Sequence, residues 1–224
     1  MSKGYFISLE GVEGVGKSTV FQFMQTYLTE QGVDLVTTRE PGGTPVAESI
    51  RDVLLRHHEE PMAIETEVLL MFASRAQNIA AVIEPALNQG RWVLADRYVD
   101  ASFAYQGGGR QVDMARLQTI ADWTIGSIMP NKTLLLDAPV EVGLQRLKER
   151  GIKDRIEQEA VEFFCRVREA YLQLAANDPE RYTIIDASQP LQAVQQAVQK
   201  WLAHLLVSEP VSYTHLTLPT NREV

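Results

Sequence analysis

The sequence predicts an α/β domain built on a mainly parallel sheet. Three observations carry that expectation. Short apolar, β-prone runs alternate with longer segments of helical spacing. Each run is nearly continuous in apolar residues rather than alternating, the pattern of a strand buried on both faces. A glycine-rich turn follows the first run and opens the first helix, so strand, loop and helix come in that order.

Taken in order, the first strand is Tyr5 to Leu9, and Val20, Phe23, Met24 and Leu28 then mark one helical face. The second strand, Val33 to Thr37, leads into the turn Arg39-Glu40-Pro41-Gly42-Gly43-Thr44. Leu69, Phe72, Ala73, Ala76, Ile79, Ala80 and Ile83 mark a long helix before the third strand, Trp92 to Ala95. The stretch Ser102 to Arg110, with Gly107-Gly108-Gly109, reads as a loop. Helices over 114–126 and 140–149 flank the fourth strand, Thr133 to Leu136; a helix over 158–176 precedes the fifth, Tyr182 to Ile185, and one over 191–206 follows it.

A length of 224 residues suits one domain with an inserted lid, at roughly 150 residues per domain. With no repeat or linker, the single domain is assigned to 1–207, with the lid at about 146–156. The Thr-rich tail 208–224 continues no helix; it reads as a frayed terminus or as foreign sequence.

Hydrophobic residues at 45% and charged residues at 22% are ordinary for a chain that buries a core, which argues against disorder. No apolar run approaches the ~20 residues of a membrane span. The start, Met1-Ser2-Lys3-Gly4 and a short apolar stretch ended by Glu10, is too brief for a signal peptide. One cysteine makes no internal disulfide, and four scattered histidines make no zinc cluster. With 21 basic and 29 acidic residues the net charge of −8 disfavours coating a polyanion such as nucleic acid, while leaving room for a local anion pocket. These features indicate a soluble cytoplasmic protein.

Gly11-Val12-Glu13-Gly14-Val15-Gly16-Lys17-Ser18 matches G-x-x-x-x-G-K-[ST] in the strand-to-helix context that the motif requires. Glycines let consecutive N–H groups curl around phosphate oxygens, and the following helix N-terminus adds partial positive charge. Gly11, Glu13, Gly14, Val15, Gly16, Lys17, Ser18 and Thr19 form a candidate nucleoside triphosphate site. Lys17 would reach the terminal phosphates and Ser18 would ligate Mg²⁺.

Asp96 ends the third strand, where a carboxylate of the Walker-B type would hold magnesium through water, and Arg97 adjoins it. Ligands bind open α/β sheets at such strand ends; a structural ion pair is the plainer reading. Arg39 follows the second strand in the same way and could meet a second anion. Phe72 and Arg75 share one helix face, though an arginine beside an apolar stripe also snorkels or pairs with a carboxylate. Ser102, Tyr105 and Gln106 lie in the expected loop, which could line a nucleobase pocket or be a mobile turn. Arg146 to Arg155 carries five basic and two acidic residues, a local +3 that suits a lid over phosphates or a solvated helix end. His57-His58 point different ways on a helix, and Cys165 suits a helix side chain rather than a nucleophile.

Taken together, Glu10 to Ser18, Thr38 to Thr44, Asp96-Arg97-Tyr98, Ala104 to Arg110 and Asp154-Arg155-Ile156-Glu157 resemble the bacterial thymidylate kinase family over about residues 3–206. That resemblance implies a five-stranded parallel sheet wrapped by helices, a homodimer, and the reaction ATP + dTMP → ADP + dTDP with Mg²⁺. It implies ATP and magnesium at Lys17 and Ser18, the dTMP sugar and phosphate at Glu13, and the dTMP phosphate at Arg39 and Arg97. Phe72 would stack on thymine, Arg75 would donate to a base carbonyl, and Ser102 and Gln106 would line the base site. Tyr105 would stand where a ribose 2′-hydroxyl clashes. Ala101 departs from the serine common in relatives. Some members carry an arginine where Gly14 stands; its absence here, with Arg146, Arg150 and Arg155 present, resembles the branch whose catalytic arginine comes from the lid. The alternatives are another nucleoside monophosphate kinase, a deoxynucleoside kinase, and a non-catalytic ATP-sensing module.

Overall fold

The computed structural model describes residues 4–151 and 154–208, with the Arg150 side chain excepted; the tail beyond Ser208 lies outside the described residues. Five parallel strands form one sheet: β1 (Tyr5–Glu10), β2 (Leu35–Arg39), β3 (Trp92–Asp96), β4 (Lys132–Asp137) and β5 (Tyr182–Asp186), ordered β2-β3-β1-β4-β5. The helices are α1 (Lys17–Glu30), α2 (Pro45–Leu55), α3 (Ile64–Asn78), α4 (Glu84–Asn88), α5 (Val99–Ser102), α6 (Met114–Ile125), α7 (Val140–Arg150), α8 (Val161–Asn177) and α9 (Leu191–Ser208).

The apolar runs are buried on both faces, as continuous rather than alternating sequences require. On β1, Tyr5, Ile7 and Leu9 join a core with α1, α8 and α9, whereas Phe6 joins Val68, Phe72 and Leu117 from α3 and α6 on the other side. The register pairs Leu9 with Asp96, and Asp96 with Arg39. Parallel register thus carries Glu10, Arg39 and Asp96 to the same edge of the sheet, and the loops that follow them build the site.

Three local expectations are corrected. The turn at 39–44 leads directly into α2, which Thr44 caps by accepting from the Ala47 N–H while Pro45 occupies the first turn. The long helix expected through Ile83 widens into a π-helical turn over Ile79–Ile83, after which α4 begins just before Pro85, which has no N–H to give. Ser102 to Gly109 is not a loop: α5 continues as a π-helical segment, Phe103–Gly109. Its glycines serve close packing, because a Cβ at Gly108 would lie 2.6 Å from Ala170 Cβ and one at Gly109 2.5 Å from the Phe163 ring, both on α8. No helix among the described residues is long and apolar enough to cross a membrane.

Candidate active site

The phosphate loop leaves β1 with Gly11, Gly14 and Gly16 at positive φ (142°, 74° and 93°), conformations that cost L side chains strain. Lys17 folds back over the loop and donates to the Gly11 and Val12 carbonyls, both at 2.9 Å. Burial and the neighbouring Arg97 charge bring its ammonium down to about 8, against the opposing pull of Glu13, Asp96 and Glu10. Gly14 also meets α7: a Cβ there would lie 2.1 Å from the Gly143 carbonyl oxygen. The backbone of α7 is therefore seated on the loop, and an arginine at position 14 has no room.

Arg97 follows β3 in the left-handed region at φ 71°, a conformation disfavoured by about 1–2 kcal/mol in an L residue. Two bonds hold it there. The Arg97 N–H donates to Leu9 O at 3.0 Å, and the Tyr98 N–H donates to the Glu10 carboxyl at 2.7 Å. The guanidinium then donates to Gly11 O at 2.9 Å, Glu13 at 2.6 Å and the Tyr105 hydroxyl at 3.0 Å, with Tyr105 also bonded to Glu13.

Glu10 itself is fully buried, and its second oxygen receives the Tyr171 hydroxyl at 2.7 Å. Burial and the Asp100 charge push its carboxyl up to about 8, with Arg97, Tyr171 and the Tyr98 N–H opposing. The folded form therefore holds a proton that the unfolded chain releases near 4.5. This stabilising contribution is complete below that value and is lost as pH rises through about 8. Glu10→Gln, which cannot ionise, is expected to flatten the fall of Tm across that window. An unchanged slope would assign the pH dependence elsewhere.

Beside the loop lies a cleft with about 580 Å³ of empty space, mouth included, within the range of small-ligand sites. It brings together Glu13, Arg75, Arg97, Ser102, Tyr105 and Gln106, all expected from the sequence. Arg75, only 2% exposed, donates to Glu40 at 2.6 Å, Ser102 Oγ at 2.9 Å and Tyr98 O at 3.0 Å. Three of its five N–H donors are thereby used.

Four expected residues go elsewhere. Arg39 is exposed and ion-paired with Glu48 at 2.7 Å, outside the cleft lining. Arg51 on α2 lines the cleft in its stead, with its Nη1 on Pro41 O at 2.8 Å, and burial lowers the pKa of its guanidinium. Phe72 does not line the cleft; its ring packs against the Arg75 guanidinium, 4.8 Å from centroid to Cζ. Arg155 donates to Leu54 O at 2.9 Å and to Glu67 at 2.8 Å, and Arg146 donates to Ala187 O at 3.1 Å. The Arg150 side chain lies outside the described residues.

Sequence reasoning missed Arg51, Glu40 and Glu67. Arg51 had a findable signal: with the Thr44-Pro45 start recognised, Ala47, Arg51 and Leu54 fall on one helical face, and an arginine there points inward.

Comparison with known proteins agrees with this geometry. The thymidylate kinase family model matches residues 9–198. The chain is 54% identical over 203 residues to a thymidylate kinase of Pseudomonas entomophila (strain L48), covering 91% of this chain and 97% of that one. It is 52% identical over 201 residues to a thymidylate kinase of Pseudomonas putida (strain W619), covering 90% and 97%. The crystal structure of thymidylate kinase from Ehrlichia chaffeensis superposes with a TM-score of 0.72 at 30% identity, covering 90% of this chain and 99% of that one. Phosphate loop, arginine-lined cleft and matched length converge, and the chain belongs to the thymidylate kinase family.

Proposed function

We infer that the protein transfers the γ-phosphoryl group of ATP to dTMP, giving ADP and dTDP. The observation that carries this reading is a phosphate loop opening onto a cleft lined by three arginines, Arg51, Arg75 and Arg97, and by the polar side chains of Ser102 and Gln106. An acceptor monophosphate arrives ionised and needs cations, whereas a nucleoside hydroxyl needs a general base. Arg51 and Arg97 supply the cations, and Glu13 is ion-paired with Arg97.

In this mechanism the backbone N–H groups of Gly11 to Thr19 cradle the ATP phosphates, and Lys17 neutralises charge on the transferring group. Arg97, with Arg51, holds the dTMP phosphate beside it, which makes the reaction effectively intramolecular. Arg75, Ser102 and Gln106 face the base, Tyr105 and Glu13 face the sugar, and Phe72 supports the Arg75 guanidinium. Asp96 and the Ser18 hydroxyl suit Mg²⁺ as hard oxygen donors. Asp96 Oδ1 is buried with no hydrogen-bond partner among the described residues, which fits a group awaiting a cation and its water. Magnesium bound with ATP would neutralise phosphate charge. Because ATP is the donor, the reaction belongs in the cytoplasm.

The functional unit is a homodimer in this reading. Leu69 on α3 and Met114 and Trp123 on α6 are exposed, Trp123 by 88%, beside an apolar groove between the two helices. Glu65 and Arg116 line the same groove, so a second copy related by a two-fold axis can match both its apolar surface and its opposite charges.

Turnover with ATP and a panel of acceptors tests the assignment. dTMP is expected to exceed dUMP by ~10–200-fold, the worth of one methyl-sized group. dCMP should be poorer still, since its amino group meets the Arg75 donor, and ribo-TMP should be poor because Tyr105 fills the 2′ side. Preference for thymidine would indicate a nucleoside kinase. ATP binding without turnover of any acceptor would indicate a sensing module.

A further inference from the structure

We propose that Glu67 is the positioning residue that sets base selectivity, by fixing which end of the Gln106 amide faces the base. The proposal rests on reading the cleft as the acceptor-nucleotide pocket. Glu67 stands on α3 and is 2% exposed. Its Oε1 receives Gln106 Nε2 at 3.0 Å and Arg110 Nε at 3.2 Å. Its Oε2 receives Arg110 Nη2 at 3.1 Å and Arg155 Nη2 at 2.8 Å.

An ionised carboxylate only accepts hydrogen bonds, so the Gln106 side chain must turn its amino group toward Glu67. The carbonyl oxygen is then forced to the opposite side. Gln106 Oε1 is indeed buried and has no hydrogen-bond partner among the described residues, while Gln106 lines the cleft beside Arg75 and Ser102. Burial pushes the Glu67 carboxyl upward, but the bonds from Arg110, Gln106 and Arg155 outweigh it and hold the group below the usual carboxylate range. Glu67 thus stays acceptor-only at any neutral pH.

The consequence is a donor–acceptor order. Arg75 offers a donor and Gln106 an acceptor, side by side. Thymine presents the complement, a carbonyl at C4 next to the N3–H. Cytosine presents the reverse, an amino group at C4 next to an unprotonated N3. If the Gln106 amide could flip, its amino group would accept the cytosine edge. Glu67 prevents the flip. Arg155, also bonded to Leu54 O, joins the segment after α7 to this same carboxylate, so the strand of chain that borders the cleft helps to lock the base reader.

The test compares kcat/KM for dTMP and dCMP in the wild type, Gln106→Ala, Glu67→Gln, Glu67→Asp and the Glu67→Gln/Gln106→Ala double variant. A glutamine at 67 offers both donor and acceptor, so Gln106 is free to turn. The expected result is a ~10-fold or greater fall in the dTMP:dCMP ratio in Glu67→Gln, through KM more than kcat. Glu67→Asp, still acceptor-only, keeps the preference, and Glu67→Gln adds nothing to the loss already present in Gln106→Ala. A purely structural role lowers both substrates together and leaves the ratio intact; that outcome in a folded Glu67→Gln overturns the proposal. If Glu67→Gln fails to fold, Glu67→Met/Arg155→Met removes the anion with one of its two cations, while Arg110 keeps Glu159, and carries the same expectation. An unchanged ratio in Gln106→Ala overturns the pocket reading instead, and this inference with it.

Discussion

Lys17→Ala is expected to lower kcat by ~10³-fold or more while leaving a folded protein. The reason lies in what the ammonium does in each state. The ammonium donates to the Gly11 and Val12 carbonyls at 2.9 Å, and burial draws its pKa down to about 8. In the proposed reaction the same charge would face phosphate oxygens whose negative charge redistributes during transfer. Removing it takes away transition-state stabilisation, and Arg97, the neighbouring cation, is held by Gly11 O and Glu13. The structural cost is smaller. Gly11 O keeps its bond from Arg97 at 2.9 Å, leaving Val12 O to find water, a change of about 1–3 kcal/mol at most. Steady-state kinetics together with thermal melting separate the two effects. Near-normal turnover from a folded variant would remove the core of the mechanism.

Arg150→Ala is expected to lower kcat by ~10³-fold with little change in KM for dTMP, the signature of a cation that acts on the transition state. Arg146→Ala and Arg155→Ala are expected to stay within about tenfold of wild-type kcat. Arg146 and Arg155 are restrained by the groups they bond. Arg155 is committed to Glu67 and Leu54 O, and Arg146 to Ala187 O. Arg150 is the last residue of α7, the helix whose Gly143 packs against the phosphate loop, and Gly151 after it takes φ 92° and turns the chain. Gly14→Arg cannot substitute for the lid, since its Cβ would meet Gly143 O at 2.1 Å. Kinetics on the three single variants decide the matter. Equal losses in all three, or a loss confined to Arg155, would overturn the assignment to Arg150.

Much of the fold is legible in local pattern. The strands β1, β3, β4 and β5 begin and end within a residue of the expected apolar runs, because burial on both faces demands continuous apolar sequence. The second strand is shifted to Leu35–Arg39, two residues later than its apolar run, because pairing with β3 sets its limits. α2 and the helical character of Phe103–Gly109 were hidden by glycine and proline, which read as turn formers. In one case they precede a helix cap, and in the other they let a helix approach α8 closely.

The sequence by itself determined the parallel α/β architecture and the phosphate loop with Lys17; the grouping of Arg75, Arg97, Ser102, Tyr105 and Gln106 around one site was implied by the family resemblance. The first two rest on local pattern, apolar runs and glycine spacing within one stretch of chain. Only the tertiary structure decided which charges face the cleft. Arg39 and Arg51 are both near the second strand, yet Glu48 captures the first while Pro41 O orients the second. Arg155, read from the sequence as a lid cation, is bonded to Glu67, 88 residues away in sequence, and Gln106 lies 39 residues from the same carboxylate. A buried charge goes where its counter-charge is, and that location is set by packing between distant elements rather than by spacing along the chain.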